Sequence, residues 1–204
     1  MSIWFVPRDA AARSMGADAV ASALEARGET VIRNGSRGML WMEPLVERAD
    51  ERHGLRVGWS NVSAGQIDAG LPDEQSDNFI GAVEEVDYLA KQNRWIYERV
   101  GITDPVDPED YVAHGGLTGL KNALAMSGGD VVQAVTDSGL RGRGGAGFPA
   151  GIKWRTVADQ PPAPHAGESQ NAPAHKYICV NADEGDSGTF ADRMLMEGDP
   201  FCLL

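Results

Sequence analysis

Between Arg141 and Pro149 the chain reads Arg-Gly-Arg-Gly-Gly-Ala-Gly-Phe-Pro, with glycines at 142, 144, 145 and 147. Glycine loses more backbone freedom on ordering than any other residue, so a helix or strand interior is disfavoured here. The run must therefore be a loop, and regular structure has to be built on either side of it. Stripped of side chains, its successive N–H groups can form an anion-binding concavity. Arg143 and Lys153 can add charge-assisted hydrogen bonds. Phe148, with Trp154 beyond it, offers a face on which a planar ring can stack. Gly142, Gly144 and Gly147 satisfy the G-x-G-x-x-G spacing, yet a helical pattern precedes them, whereas the dinucleotide fingerprint follows a strand. A Walker loop is excluded because Lys153 lacks the Ser or Thr that must follow it. A flexible turn explains the glycines alone; the cations and aromatic rings around them favour a phosphate-bearing ligand.

A second constellation, Asn181-Ala182-Asp183-Glu184-Gly185-Asp186-Ser187-Gly188, follows the apolar run Tyr177-Ile178-Cys179-Val180. Read as a short buried strand, that run puts the polar cluster at a strand's carboxyl end, where open α/β sheets bind ligands. Asn and carboxylate side chains there can recognise ring nitrogens, carbonyls and ribose hydroxyls. A solvated acidic turn is the plainer alternative. The spacing does not fit a calcium loop.

The first seventy residues read as a small αβ unit. Ile3–Val6 and Thr30–Ile32 are predicted strands, separated by a helix carrying Ala12, Met15, Ala19, Val20, Ala23 and Leu24 and stopped at Gly28. Met39–Met42 and Leu55–Trp59 supply two further strands, giving a thioredoxin-like layout. From Phe79 the spacing of Phe79, Val83, Val86 and Ala90 predicts a helix to about Val100, so 71–110 reads as a helical connector. Leu117, Leu120 and Leu124 mark another helix, and a third starts with Asp130 as its N-cap. Four prolines between Asp159 and Ala174 mark an exposed loop.

The 204 residues carry 30 Asp and Glu against 18 Lys and Arg, a net charge of -12, which argues against nucleic acid or an anionic membrane as partner. No apolar run is long enough to span a bilayer and no signal peptide is visible, so a cytoplasmic location is expected. Cys179 and Cys202 are too few for a disulfide framework or a self-contained metal site. Their apolar surroundings predict packing roles.

Taken in order, the glycine loop with Ser138-Gly139-Leu140 before it, Gly151-Ile152-Lys153-Trp154, Asn181-Ala182-Asp183-Glu184, Asp192-Arg193 and Glu197 are similar to the flavoprotein subunit of complex I and its relatives in formate dehydrogenases and bidirectional hydrogenases. The resemblance covers about 111–204. It implies the beginning of an FMN-binding α/β domain that is not a Rossmann fold, after a thioredoxin-like domain (1–70) and the connector (71–110). Carried over by position, Gly142, Arg143, Gly144, Lys153, Asn181, Asp183 and Glu184 contact FMN. Phe148, Gly145 and Ala146 lie against the nicotinamide nucleotide, and Asp186 reaches its ribose or adenine side. Complex I subunits usually read Asn-Ala-Asp-Glu-Ser-Glu-Pro-Gly, where this chain has the shorter acid Asp186. No side chain is implied as an acid or base, because the flavin and NAD(H) supply the reactivity.

The run from Arg33 to Glu47 resembles the amino-terminal extension of formate dehydrogenase beta subunits, related to the thioredoxin-like ferredoxin module of complex I. Lacking cysteine, it cannot ligate a [2Fe–2S] cluster, so a docking or structural role is expected. The implied partners are a molybdenum or tungsten formate dehydrogenase catalytic subunit and a [2Fe–2S] thioredoxin-like subunit. The family's [4Fe–4S] ligands lie near the far end of the full-length subunit and are absent here, so the chain reads as an amino-terminal fragment. The rival settings are a quinone oxidoreductase or hydrogenase flavoprotein. From other classes come a cofactor-free assembly module and a different phosphate-binding enzyme.

Overall fold

The computed structural model describes residues 2–50, 55–143, 145–162, 169 and 175–204. β1 (Ile3–Phe5) and β2 (Thr30–Ile32) pair in parallel, with Trp4 opposite Val31. A parallel pair needs a crossover, supplied here by α1 (Ala10–Ser14) and α2 (Ala17–Ala26). The one helix expected over this stretch is broken at Gly16, whose φ of 101° lies outside the helical region. Asp9 caps α1 by accepting the N–H groups of Ala11 and Ala12. Ala12, Ala17, Val20 and Leu24 bury the helical face with Trp4, Val46 and Trp59.

β3 (Val46–Asp50), β4 (Leu55–Trp59) and β5 (Phe79–Ala82) add antiparallel strands, giving the order β2-β1-β3-β4-β5. The Glu43–Pro44 peptide ahead of β3 is cis. A βαβ unit followed by three antiparallel strands makes the fold mixed α/β with a five-stranded open sheet. α3 (Ala64–Ala69) joins β4 to β5 and opens with a capping box made by Ser63 and Gln66.

Two elements differ from expectation. The strand expected at Met39–Met42 is a 3-10 turn, Leu40–Met42, and the paired strand is β3 instead. The sequence of β3 hides this, because Glu47 is completely buried against Arg37 where a strand core normally holds an apolar residue. The helix expected from Phe79 is β5, then a 3-10 turn at Val83–Glu85, then α4 (Asp87–Ala90). Its apolar residues imitate a helical stripe, but Phe79 packs on Trp59 with ring centroids 5.4 Å apart. Residues 71–110 therefore contribute the sheet's edge strand rather than a purely helical connector.

Farther on come α5 (Pro108–Ala113), α6 (Thr118–Leu124), α7 (Gly128–Asp137), α8 (Ala150–Asp159) and α9 (Ala191–Gly198). Ser127, not Asp130, caps α7: its hydroxyl accepts the Asp130 N–H. Among the described residues no helix is long and apolar enough to cross a membrane.

Contacts divide the chain into two units, 1–116 with 182–204, and 117–181. The first holds the sheet, α1–α5 and α9. Glu197 of α9 accepts the Ala10 N–H at 2.7 Å, and Asp199 after it pairs with Arg99 at 2.8 Å. The second holds α6–α8 and the glycine loop. In it, the strand expected at Tyr177–Val180 does not form, and Ile178 is 94% exposed. A strand exists only with a neighbour to take its ladder bonds, and no described strand pairs with 177–180. Cys179, expected to pack, is exposed as a result.

A glycine loop at the start of a helix

α7 and α8 pack side by side, and Gly151 sets their closeness. A Cβ at Gly151 would collide with the Cα and side chain of Thr136, so a larger residue would force the helices apart. Gln133 accepts a 3.1 Å hydrogen bond from Arg155 across the same pair. The glycine loop is closed at its neck. The Gly142 N–H donates to the Phe148 carbonyl at 2.8 Å, and the Ala150 N–H donates to the Leu140 carbonyl at 2.8 Å. The Gly142 amide, expected to face a ligand, is thus used within the loop, and this residue contributes conformation instead.

Inside the neck Gly145 and Gly147 have φ of 94° and 58°, the left-handed region that side chains disfavour. Gly144 lies outside the described residues. The amides of Arg143, Gly145, Ala146 and Gly147 make no hydrogen bond among the described residues. α8 begins immediately after the loop, so its positive dipole end adds to the field there. Lys153 sits in the opening turns of α8; Arg143, Phe148 and Trp154 are all exposed beside them. A cleft of about 230 Å³, lined by Thr136, Leu140, Arg141, Pro149 and Ile152, adjoins the neck. Four unused amides, two exposed cations and a helix start form a set suited to a phosphate.

Sequence reasoning misses α8 and the part played by Gly151. The signal for both is the Ala-Gly-Ile-Lys-Trp step directly after Pro149, a residue favoured at helix starts.

Asp183, Glu184 and Asp186 belong to the first unit, while Asn181 ends the second. Asn181, Asp183 and Asp186 are exposed; Glu184 is half-buried. The Glu184 carboxylate accepts the N–H groups of Asp192 at 2.9 Å and Arg193 at 3.2 Å, so it caps α9. A negative charge at a helix start is favourable, and here it occupies a side chain expected to face a cofactor. Ala191, Met194 and Leu195 fall at helical spacing and announce α9, but nothing in the residue order assigns Glu184 as its cap.

The Arg33–Glu47 run forms a buried polar interior in the first unit. Arg37 donates to both oxygens of Glu47 at 2.8 and 2.9 Å, and to Glu84 at 2.7 Å. Burial disfavours the Arg37 charge, but Glu47 and Glu84 outweigh it and hold the guanidinium firmly protonated. Ser36 donates to Glu43 at 2.6 Å, while its own N–H donates to Asp9 at 2.8 Å. Burial pushes the Glu43 carboxyl up to about 7, despite the bonds from Ser36 and the Leu45 N–H. These buried groups satisfy one another inside the first unit.

Residues 135–204 match the family model for the Nuo51 FMN-binding domain. The chain is 44% identical to the NADP-reducing hydrogenase subunit HndC of Solidesulfovibrio fructosivorans, over 56% of this chain and 21% of the relative. It is 45% identical to an NADH-quinone oxidoreductase subunit of Rhizobium meliloti, over 46% of this chain and 20% of that one. With an NADH-quinone oxidoreductase subunit of Escherichia coli the identity is 40%, over 49% and 20%. The chain spans about a fifth of the length of these relatives. A solved NAD+-reducing [NiFe]-hydrogenase in the H2-reduced state aligns over 98% of this chain and 33% of its own at 22% identity, with a TM-score of 0.33. The family match covers the glycine loop, α8, the 181–186 segment and α9, about a third of the chain.

Proposed function

We propose that the chain is part of a diaphorase subunit that passes electrons between NAD(H), FMN and iron–sulfur centres. The observation that carries this reading is the closed glycine loop, with four amides that have no hydrogen-bond partner among the described residues and with Arg143 and Lys153 exposed on either side of the start of α8, inside the family-matched residues. The residues fit a flavin phosphate: the amides of Arg143, Gly145, Ala146 and Gly147 donate to its oxygens, and the two cations neutralise it. When bound, FMN supplies hydride exchange with the nicotinamide and single-electron exchange with clusters.

The remaining tasks of the chain are positional. Phe148, 48% exposed at the loop's neck, offers its face to the nicotinamide nucleotide together with Gly145 and Ala146. The family resemblance alone gives Asn181, Asp183 and Asp186 roles as polar groups for ring and ribose atoms, while Glu184 caps α9. Holding two rings in stacked register lowers the barrier without any acid or base from the protein.

The wider setting that we favour is an NAD-dependent formate dehydrogenase, with a molybdenum or tungsten catalytic subunit and a [2Fe–2S] thioredoxin-like subunit as partners. The Arg33–Glu47 run supports it. The names of the relatives favour the second setting, a hydrogenase or quinone oxidoreductase.

A flavin titration tests the site. The 204-residue chain is titrated with FMN, and quenching of flavin fluorescence reports binding. We expect weak binding, weakened further about tenfold by Arg143→Ala or Lys153→Ala, the effect of losing a charged hydrogen bond. Identical curves for the three proteins would remove the loop from the site.

A further inference from the structure

A second cleft lies wholly in the first unit, remote in sequence from the glycine loop. It has a volume of about 440 Å³ and is walled by Trp41, Tyr88, Tyr97, Phe190 and Arg94. That volume falls in the range of roughly 300–1,000 Å³ typical of small-molecule sites. Trp41 is 58% exposed, yet it is held: the Tyr88 ring meets it edge-on, with centroids 5.1 Å apart and planes at 88°. The opposite wall is fixed by Tyr97, whose hydroxyl donates to the Ala191 carbonyl at 3.0 Å. An open indole in an ordered concave wall is a ready stacking surface.

Arg94 supplies the charge. It is half-buried and donates to the Arg37 carbonyl at 2.8 Å and to Gln92 at 3.1 Å. No carboxylate pairs with it among the described residues, and the nearby Glu84 is taken by Arg37 at 2.7 Å. Burial, and then the Arg37 charge, both disfavour its protonated form. A partly desolvated cation with no carboxylate bonded to it among the described residues is stabilised by an anion brought into the cleft. Three other enclosed arginines of this unit have their carboxylates inside the fold: Arg37 has Glu47, Arg56 has Glu47, and Arg99 has Asp199.

We propose that this cleft binds a small aromatic anion, its ring against Trp41 and Tyr88 and its charge on Arg94. Two ligand sources share that chemistry, a nucleoside monophosphate and an aromatic carboxylate.

The test uses calorimetric titration of the 204-residue chain with AMP and, separately, with benzoate. AMP binding alone assigns the site to nucleotides, and benzoate binding extends it to aromatic carboxylates. Binding must weaken about tenfold in Arg94→Gln, as for loss of a charged hydrogen bond, and also in Trp41→Leu, whose exposed position leaves the fold intact. It must survive in Arg143→Ala, which separates this cleft from the glycine loop. Failure of both ligands to bind overturns the proposal, as does binding that is lost in Arg143→Ala but kept in Arg94→Gln.

Discussion

The two units of the molecule bury very different things. In the sheet unit, Trp4 and Trp59 are fully enclosed, and so are the charges of Arg37 and Glu47. In the helical unit only Val132 and Gly151 are buried among the described residues, while Leu124, Trp154 and Val157 stay open. Burial contributes roughly 25 cal/mol per Å² of apolar surface, so the sheet unit carries most of the stability. The helical unit keeps its amides and cations outward and has little core to resist local opening. The scaffold's core and the glycine loop thus lie in different units of the chain. The residues that make the fold robust are not those that make the candidate flavin site.

The largest effect that can break this contrast falls in the buried network. Glu47→Ala breaks the buried two-oxygen pair and leaves Arg37 with Glu84 alone, a loss toward the lower end of the about 3–5 kcal/mol of a broken buried ion pair. Urea unfolding followed by tryptophan fluorescence should show the loss, because Trp4 and Trp59 lie in this unit's core. Amide exchange in α7 and α8 should stay unchanged; equal acceleration there would show that the units do not differ in the way described.

A pH series sharpens the same point. Burial raises the Glu43 carboxyl from its ordinary 4.5 to about 7. Between those values the folded chain keeps a proton that the unfolded chain has released. Stability from this group is therefore complete below the lower value and is lost as pH rises through the upper one. The shift corresponds to roughly 3 kcal/mol at most. Glu43→Gln keeps an acceptor for the Leu45 N–H and a polar neighbour for Ser36. It should flatten the dependence and stabilise the protein at alkaline pH. A wild-type urea midpoint that does not decrease as pH is raised from about 5 to about 8 would contradict the buried-acid assignment.

What can be read from residue order follows the same division. β1, β2 and β4 are legible because their apolar residues face a core, and the glycine loop because four glycines in six residues permit nothing else. β3 is not legible, since Glu47 and Arg48 break the alternation and Glu47 is explained only by Arg37, ten residues away. β5 imitates a helix because strand and 3-10 turn happen to repeat at helical spacing. In the site, Arg143, Phe148 and Lys153 are exposed beside the loop as side chains for a ligand must be. Gly142 and Glu184 instead satisfy the backbone, one at the loop's neck and one at α9. Residue type announces what a side chain can do; only tertiary contacts decide which of those capacities is already used.

Two smaller predictions probe the helical unit. Gly151→Val inserts side-chain volume against Thr136, and overpacking of this kind costs about 1–3 kcal/mol. Faster amide exchange in α7 and α8, with the urea midpoint of the sheet unit unmoved, is the expected signature. The smallest effect is Gly147→Ala. A φ of 58° costs an alanine roughly 1 kcal/mol relative to glycine, and the loop can escape this by shifting its backbone. Stability should then hardly change, but the Ala146 and Gly147 amides would turn away from the phosphate position. FMN affinity should fall while AMP binding at Trp41 and Arg94 is kept, because that cleft belongs to the other unit. Unaltered FMN affinity in this variant would mean that the amides after Gly145 do not hold the phosphate, leaving the cations alone to do so.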